Sequence, residues 1–211
     1  MKSLILFSGG TDSTTCLALA KSRGEEVVCV SLTYGQKHAK PELAAAETIA
    51  GHYGAPWHLL DVSHIFFASE SSLTRADRKI PEGPYQPNPD TEVEFRNGVF
   101  LSVMASLALQ FHADKIYYGA HEDATGVIYA DCSREFIDAA KELIRIGTGG
   151  RVELVTPFAG QTKAKVIETG LRLQVPYELT YSCYSGTVPP CGHCGTCIDR
   201  KEAFLKNGIQ E

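Results

Sequence analysis

The sequence predicts an α/β fold organised on a doubly wound parallel sheet, and three observations carry that expectation. Short runs rich in aliphatic and β-branched residues alternate with longer runs whose apolar residues recur at helical spacing, the pattern of successive βαβ units. The first strand-like run, Leu4-Ile5-Leu6-Phe7, turns into a helix-like run, Thr14 to Arg23, through Ser8-Gly9-Gly10-Thr11-Asp12-Ser13. Ligands of open α/β sheets gather at such carboxyl ends of strands. Near the C-terminus Cys183, Cys191, Cys194 and Cys197 are separated by seven, two and two residues, which marks a short element of another kind added to the sheet.

The elements follow in order. Gly24 stops the first helix, and Glu26 to Leu32, rich in β-branched residues, is the second strand. After Thr33-Tyr34-Gly35-Gln36 a helix runs from about Pro41 to Tyr53, with Leu43, Ala46, Ala50 and Tyr53 at helical spacing. Trp57 to Val62 is the third strand. The stretch from Glu70 to Thr91 carries Pro81, Pro84, Pro87 and Pro89 and no period of either kind. Its length suits a lid over an active site, the alternative being a floppy surface excursion. From Arg96 to Phe111 the residues Val99, Phe100, Val103, Met104, Leu107 and Phe111 form an apolar stripe that belongs to a core. Lys115 to Gly119 is a strand, and the loop His121 to Asp131 leads into a helix from Ser133 to Ile146 bearing Phe136, Ala140, Leu143 and Ile144. A further strand, Val152 to Thr156, precedes a helix from Thr162 to Leu173. The expected division is an α/β domain over 1–180, with 70–91 as its lid, and a cysteine-bearing segment over 181–211 packed on it.

A chain of 211 residues can bury one core with a small appendage. Apolar residues make up 44% and charged residues 21%, no apolar run reaches membrane-spanning length, and Met1-Lys2-Ser3 leads into only four apolar residues. No membrane partner or signal peptide is expected, and the expected compartment is the cytoplasm. A net charge of −5 gives no broad attraction to a polyanion, which argues against a nucleic acid partner. Seven cysteines, an odd number with four clustered, point to metal and not to a disulfide framework. Cys16 and Cys29 sit in apolar surroundings and are expected to pack in the core.

A strand that turns tightly into a helix leaves the first N–H groups of the helix without partners, and the helix dipole makes that end an anion site. Gly9 and Gly10 give the backbone freedom to wrap a phosphate, and Ser8 and Ser13 add hydroxyl donors. No lysine follows the glycines, unlike the loop that transfers a terminal phosphoryl group. A plain glycine turn with Asp12 or Ser13 capping the helix is the alternative. At the other end of the chain, two cysteines on one turn, a third close by and a fourth returned by a proline-containing loop suit a tetrahedral Zn²⁺. Four thiolates close the coordination shell, so the expected role is structural, with His193 not needed as a ligand. A redox pair and an iron–sulfur cluster are the alternatives.

The Ser-Gly-Gly-x-Asp-Ser loop resembles the pyrophosphate loop of the ATP pyrophosphatase superfamily. Further segments narrow the resemblance: Thr33-Tyr34-Gly35-Gln36, Arg96-Asn97-Gly98-Val99-Phe100-Leu101-Ser102, Asp131-Cys132-Ser133-Arg134-Glu135-Phe136, Pro176-Tyr177-Glu178-Leu179-Thr180 and Ser182-Cys183-Tyr184. In this order and spacing they are similar to the 7-cyano-7-deazaguanine synthase family. The resemblance implies an adenine nucleotide alpha hydrolase-like fold and a ligase that uses ATP and ammonia to convert 7-carboxy-7-deazaguanine to the nitrile, on the route to queuosine-type bases. It also implies one zinc per chain and a homodimer. Glu94 and Ala130 stand where the family usually has proline, Thr11 stands where it often has glutamine or another residue, and the loop before Asp131 differs somewhat in length.

The resemblance and the chemistry together single out residues. Ser8, Gly9, Gly10, Thr11, Asp12, Ser13 and Thr14 are expected to grip ATP, with Asp12 bracing the loop or holding Mg²⁺. Lys163 matches a lysine that the superfamily uses on the phosphates, and with Asp12 it is the expected catalytic pair. Arg96 is expected to meet the substrate carboxylate, a structural ion pair being the alternative. His121, Glu122 and Asp131 lie at a strand's carboxyl end, where an acidic side chain can accept from the N–H and amino edge of a guanine-like ring. Cys132 precedes a helix, a place that suits a nucleophile or a packing cysteine. Cys183, Cys191, Cys194 and Cys197 are the expected metal ligands. The rival readings are a tRNA sulfur transferase of the same superfamily, with Cys132 carrying sulfur, and a nonenzymatic zinc-knuckle binding module.

Overall fold

The computed structural model describes residues 1–86, 89–121 and 129–211. Its strands are β1 (Lys2–Leu6), β2 (Glu26–Thr33), β3 (Trp57–Asp61), β4 (Lys115–Tyr117) and β5 (Glu153–Val155), all parallel, in the order β3-β2-β1-β4-β5. Leu4 stands beside Val28 on one side and Ile116 on the other. The helices are α1 (Thr11–Ser22), α2 (Ala39–His52), α3 (Arg96–Gln110), α4 (Arg134–Gly147), α5 (Lys163–Arg172) and α6 (Gly195–Leu205).

Both faces of β1 and β2 are covered, which is why these strands read as continuous apolar runs and not as alternating ones. Leu4, Val28, Val30, Ile116 and Leu154 face one core with Phe100, Met104, Ile137, Ala140 and Ile144 of α3 and α4. Ile5, Val27, Cys29 and Tyr117 point the other way and pack with Cys16, Leu17, Ala46 and Ile49 of α1 and α2. Cys16 and Cys29 are thus core residues. The order of strands reverses between β1 and β4, so the cleft opens beyond their carboxyl ends, where Ser8 and Gly119 emerge.

The helix positions expected from periodicity are shifted in two places. On α4 the buried residues are Ile137, Ala140 and Ile144, while Leu143 is 65% exposed. Ser133 caps this helix by accepting the N–H of Phe136 at 3.0 Å. On α2 the buried face is Ala45, Ala46, Ile49 and Ala50, small residues that let the helix approach the sheet closely. Helix α6 had no counterpart in the periodicity; it begins among the clustered cysteines with Cys194 at its N-cap. Phe204 at its far end meets Tyr177 edge-on at 5.2 Å and packs with Ala18, Ile167 and Val175.

The described part of 70–91 is tied down at several points. Ser71, Ser72 and Leu73 are buried, Lys37 N–H donates to Leu73 O at 2.9 Å, and Ser72 N–H donates to Asp90 O at 2.8 Å. Glu82 pairs with Cys194 in an antiparallel bridge, and Gly83 N–H donates to His193 O at 2.8 Å. The segment is therefore laid across the C-terminal cysteines, with Tyr85 reaching the cleft.

A buried carboxylate joins the central strands at the opposite end of the sheet. Glu25 accepts from Ser3 Oγ of β1, and its Oε1 accepts from Lys115 Nζ at 2.9 Å and Tyr117 hydroxyl at 3.1 Å of β4. Burial works to raise its pKa, and the three donors more than reverse that, so the carboxyl is held below the usual glutamate value of 4.5. The contribution of this group to stability is present above that value and is lost as pH falls through the lowered one. Lys115→Met leaves the carboxylate short of its cation, and urea unfolding at pH 7 is expected to show a loss of about 3 kcal/mol.

Candidate active site

The loop after β1 is shaped by its own hydroxyls. Ser8 N–H donates to Ser13 Oγ at 3.2 Å, Gly10 N–H donates to Ser8 Oγ at 3.2 Å, and Thr14 Oγ1 donates to Gly10 O at 2.8 Å. Gly9 adopts φ +74°, and a Cβ there would stand 2.6 Å from Ala46 N, so only glycine permits so close an approach to α2. Gly10, in extended conformation, is the N-cap of α1. The first N–H groups of α1 have no intrahelical partner, and Gly10, Thr11, Asp12 and Ser13 line a cleft of about 290 Å³. This end of the cleft is built for an anion.

Asp12 is the hub of that end. Its Oδ2 accepts from Lys163 Nζ at 2.7 Å, and its Oδ1 lies 3.9 Å from His121 Nδ1. Lys163, the first residue of α5, also stands 3.9 Å from Asp199 Oδ2 on α6. Burial pushes the Asp12 carboxyl up, but Lys163 and then His121 pull it below the ordinary aspartate value, so it is ionised at neutral pH. Four separate parts of the chain meet here: α1, the end of β4, α5 and α6.

The other end is aromatic and carries an arginine. Arg96 Nη1 donates to the Tyr34 hydroxyl at 2.9 Å, and the guanidinium lies over the Tyr34 and Phe100 rings at 5.1 and 5.8 Å. Phe95 just before it takes the left-handed conformation, φ 51°, a strained turn for a bulky residue that sets the entry to α3. Tyr85, Tyr118, Tyr129 and Tyr184 complete the wall. Cys132 lies in the cleft, where Asn97 Nδ2 donates to its Sγ at 3.3 Å. Asp131 sits behind it, its Oδ2 accepting the Asn97 backbone N–H at 2.9 Å. Asp131 therefore caps α3 from across the chain, while Ser133 caps the helix that follows.

Glu42, in the first turn of α2, lines the same cleft. Burial pushes its carboxyl up to about 7, against the hydrogen bond from Gln36 Nε2 at 2.8 Å and the pull of Arg96. His38, buried beside it, is pushed down to about 4 by burial and by Arg96, so it is neutral at pH 7 and does not form a charged pair with Glu42 across 3.9 Å. A carboxyl raised above its unfolded value of 4.5 favours folding only while protonated, and that advantage is lost as pH rises toward 7. Glu42→Gln is therefore expected to be more stable than the parent at pH 8, by on the order of 2 kcal/mol and with a higher melting temperature, and to match it near pH 4. Paired thermal melts at the two pH values check this.

The cysteine cluster adjoins the cleft. The four sulfurs of Cys183, Cys191, Cys194 and Cys197 lie within 4.8 Å of one another, with 4.0 Å between Cys191 and Cys197. Edges of a tetrahedral Zn–S₄ site are about 3.8 Å, so the donor set fits a metal ion of that kind. Burial raises the Cys183 thiol, but hydrogen bonds from Cys191, its backbone N–H first, bring it down to about 6, which favours the thiolate a metal requires. His193 is turned away, its Nε2 3.5 Å from Glu82 Oε1.

The structure thus brings Ser8, Gly10, Thr11, Asp12, Ser13, His121 and Lys163 to one end and Arg96 and Cys132 to the other. Gly9 and Thr14 act from behind, one by packing on α2 and the other by bonding Gly10 O. His121 stands beside Asp12, its Nδ1 3.9 Å from Asp12 Oδ1, and away from Arg96 and Cys132. Glu122 lies outside the described residues. Sequence reasoning missed Tyr34, His38, Glu42, Tyr85, Tyr129, Tyr184 and Asp199 as cleft residues. The i,i+4 placing of His38 and Glu42 at the start of an alanine-rich helix was the available signal.

A glycine loop without lysine at the switch point of a parallel sheet, backed by a four-thiol cluster, defines a PP-loop nucleotide-binding α/β protein. A family model described as queuosine biosynthesis protein QueC matches residues 2–208, and the chain belongs to that family. It is 40% identical over 213 residues to a 7-cyano-7-deazaguanine synthase of Caldicellulosiruptor bescii, covering 100% of this chain and 96% of the relative. It is 41% identical over 216 residues to one of Persephonella marina, covering 99% and 94%. Among solved structures, the NMN synthetase of Francisella tularensis superposes with a TM-score of 0.52 at 14% identity, over 99% of this chain and 78% of that one, a likeness of fold.

Proposed function

We propose that the protein converts 7-carboxy-7-deazaguanine and ammonia to 7-cyano-7-deazaguanine at the expense of two ATP. The observation that carries this reading is the two-ended cleft: an anion cradle at α1 faces an aromatic chamber that holds a guanidinium. Oxide is not a leaving group, so the substrate carboxylate must first attack the α-phosphorus of ATP, giving the acyl adenylate and pyrophosphate. Ammonia displaces AMP and loses a proton, leaving the amide. The amide oxygen then attacks a second ATP, pyrophosphate departs, and loss of AMP with the remaining nitrogen protons leaves the nitrile.

In this reading the loop from Ser8 to Ser13 holds the β and γ phosphates as charge develops on pyrophosphate, and Lys163 offers its ammonium to the same oxygens. Asp12 keeps Lys163 in place and is the side chain placed to hold Mg²⁺ with the phosphates. Arg96 meets the substrate carboxylate; Cys132, and Asp131 behind it, shape the floor beside it. Cys183, Cys191, Cys194 and Cys197 hold Zn²⁺, which supplies folding energy and no chemistry because four thiolates fill its shell. The enzyme works in the cytoplasm as a homodimer on small molecules. None of the seven cysteines is joined in a disulfide, and Leu59, Ile65 and Phe67 give the β3 edge an exposed apolar surface for a second copy. A net charge of −5 opposes the tRNA sulfur-transferase alternative.

Phosphorus NMR of a mixture with ATP, Mg²⁺, ammonium and the carboxylated deazaguanine is expected to show AMP and pyrophosphate, two of each per nitrile. ADP and phosphate as main products would overturn the adenylation route. Asp12→Asn is expected to lower kcat/KM at least tenfold, since both adenylations use the same loop. Cys194→Ser is expected to reduce bound zinc, measured by elemental analysis from about one per chain, and to lower the melting temperature.

A further inference from the structure

Arg96 and Glu42 line the same cleft, and no hydrogen bond or ion pair joins them among the described residues. Arg96 has the Tyr34 hydroxyl as its hydrogen-bond partner, and its Nε is buried with none. Glu42, with a side chain 17% exposed, accepts from Gln36 Nε2 at Oε2, and His38 stands 3.9 Å from that same oxygen. Oε1 of Glu42 has no donor among the described residues. Gln36 is itself oriented, because its Oε1 accepts the Tyr34 backbone N–H at 2.8 Å and so turns its amide nitrogen to Glu42. A built acceptor and a built cation, each short of a partner, thus share one chamber.

A ligand that satisfies both must carry an anion for the guanidinium and N–H donors for the carboxylate, on a flat body that fits between Tyr34, Phe100, Tyr129 and Tyr184. A carboxylated deazaguanine is such a molecule: its carboxylate is on the five-membered ring, and its six-membered ring presents a ring N–H beside an exocyclic amino group. Adenine presents an amino donor beside a ring acceptor, which repels a carboxylate. The phosphates of ATP belong at the N-terminus of α1.

We propose that Glu42, steered by Gln36, is the residue that selects the 2-amino-4-oxo edge of the deazapurine, while Arg96 takes its carboxylate. The assignment rests on the function proposed above. It places base recognition on the first turn of α2 instead of on Asp131, whose Oδ2 is engaged at the start of α3.

The test is calorimetric binding and steady-state kinetics on the full chain with 7-carboxy-7-deazaguanine, its counterpart lacking the 2-amino group, and ATP. Glu42→Gln is expected to weaken binding of the carboxylated deazaguanine by about 10- to 100-fold. ATP affinity is expected to stay within about twofold, and the preference of the parent for the 2-amino compound is expected to collapse in the variant. Unchanged deazaguanine affinity, an equal loss for ATP, or a preserved preference overturns the assignment. If the parent protein turns over the carboxylated deazaguanine while the variant behaves like it, only the role of Glu42 falls. If the parent neither binds nor converts it, the proposed function falls first and this assignment with it.

Discussion

The cleft depends on how closely the loop after β1 is pressed against α2. Gly9 has no Cβ, and the space one would need is taken by the backbone at Ala46 and the carbonyl of Glu42. The same contact fixes two things at once. It holds the loop in the curve that turns the N–H groups of α1 into the cleft, and it brings the first turn of α2, with His38 and Glu42, over the other side. The small residues Ala45, Ala46 and Ala50 serve the same end, since bulkier side chains would lift α2 from the sheet and open the gap.

Close packing of this kind collects charges that burial disfavours. Asp12 is compensated by Lys163 and His121 and remains ionised. Glu42 is only partly compensated, and its carboxyl is pushed up to about 7. His38 is kept neutral by burial and by Arg96. The contrast follows the partners each group has. Asp12 has the Lys163 ammonium against its carboxylate, whereas Glu42 has the Gln36 amide and a more distant guanidinium, and burial prevails there.

Much of the fold was legible because both faces of the sheet are buried. Strands such as Glu26–Thr33 then stand out as dense apolar and β-branched runs, and the order of elements follows from their alternation with helical periods. Periodicity located the helices but not always their faces: it favoured Leu143, which is exposed, over Ile137, which is buried. Helix α6 was hidden because its first residues are cysteines, glycine and threonine, whose place in a helix depends on the cluster they build. Of the cleft, the loop residues and Lys163 stood out through motif and resemblance. The aromatic chamber did not, since Tyr34, Tyr85, Tyr129 and Tyr184 come from separate parts of the chain with no shared spacing, and each alone reads as core.

The C-terminal cysteines are more than an anchor for the chain end. Tyr181, Ser182, Tyr184, Thr196 and Asp199, all within a few positions of a clustered cysteine, line the cleft. Asp199 reaches Lys163, and Tyr181 N–H donates to Gly9 O at 3.1 Å, so the segment touches the loop after β1 directly. Glu82 and Gly83 pair with Cys194 and His193, which ties the stretch bearing Tyr85 to the same support. Order in the cysteine cluster is therefore order in two walls of the cleft. Whatever free energy a metal contributes on binding four thiolates is coupled, through these few contacts, to the geometry at Gly9 and Lys163.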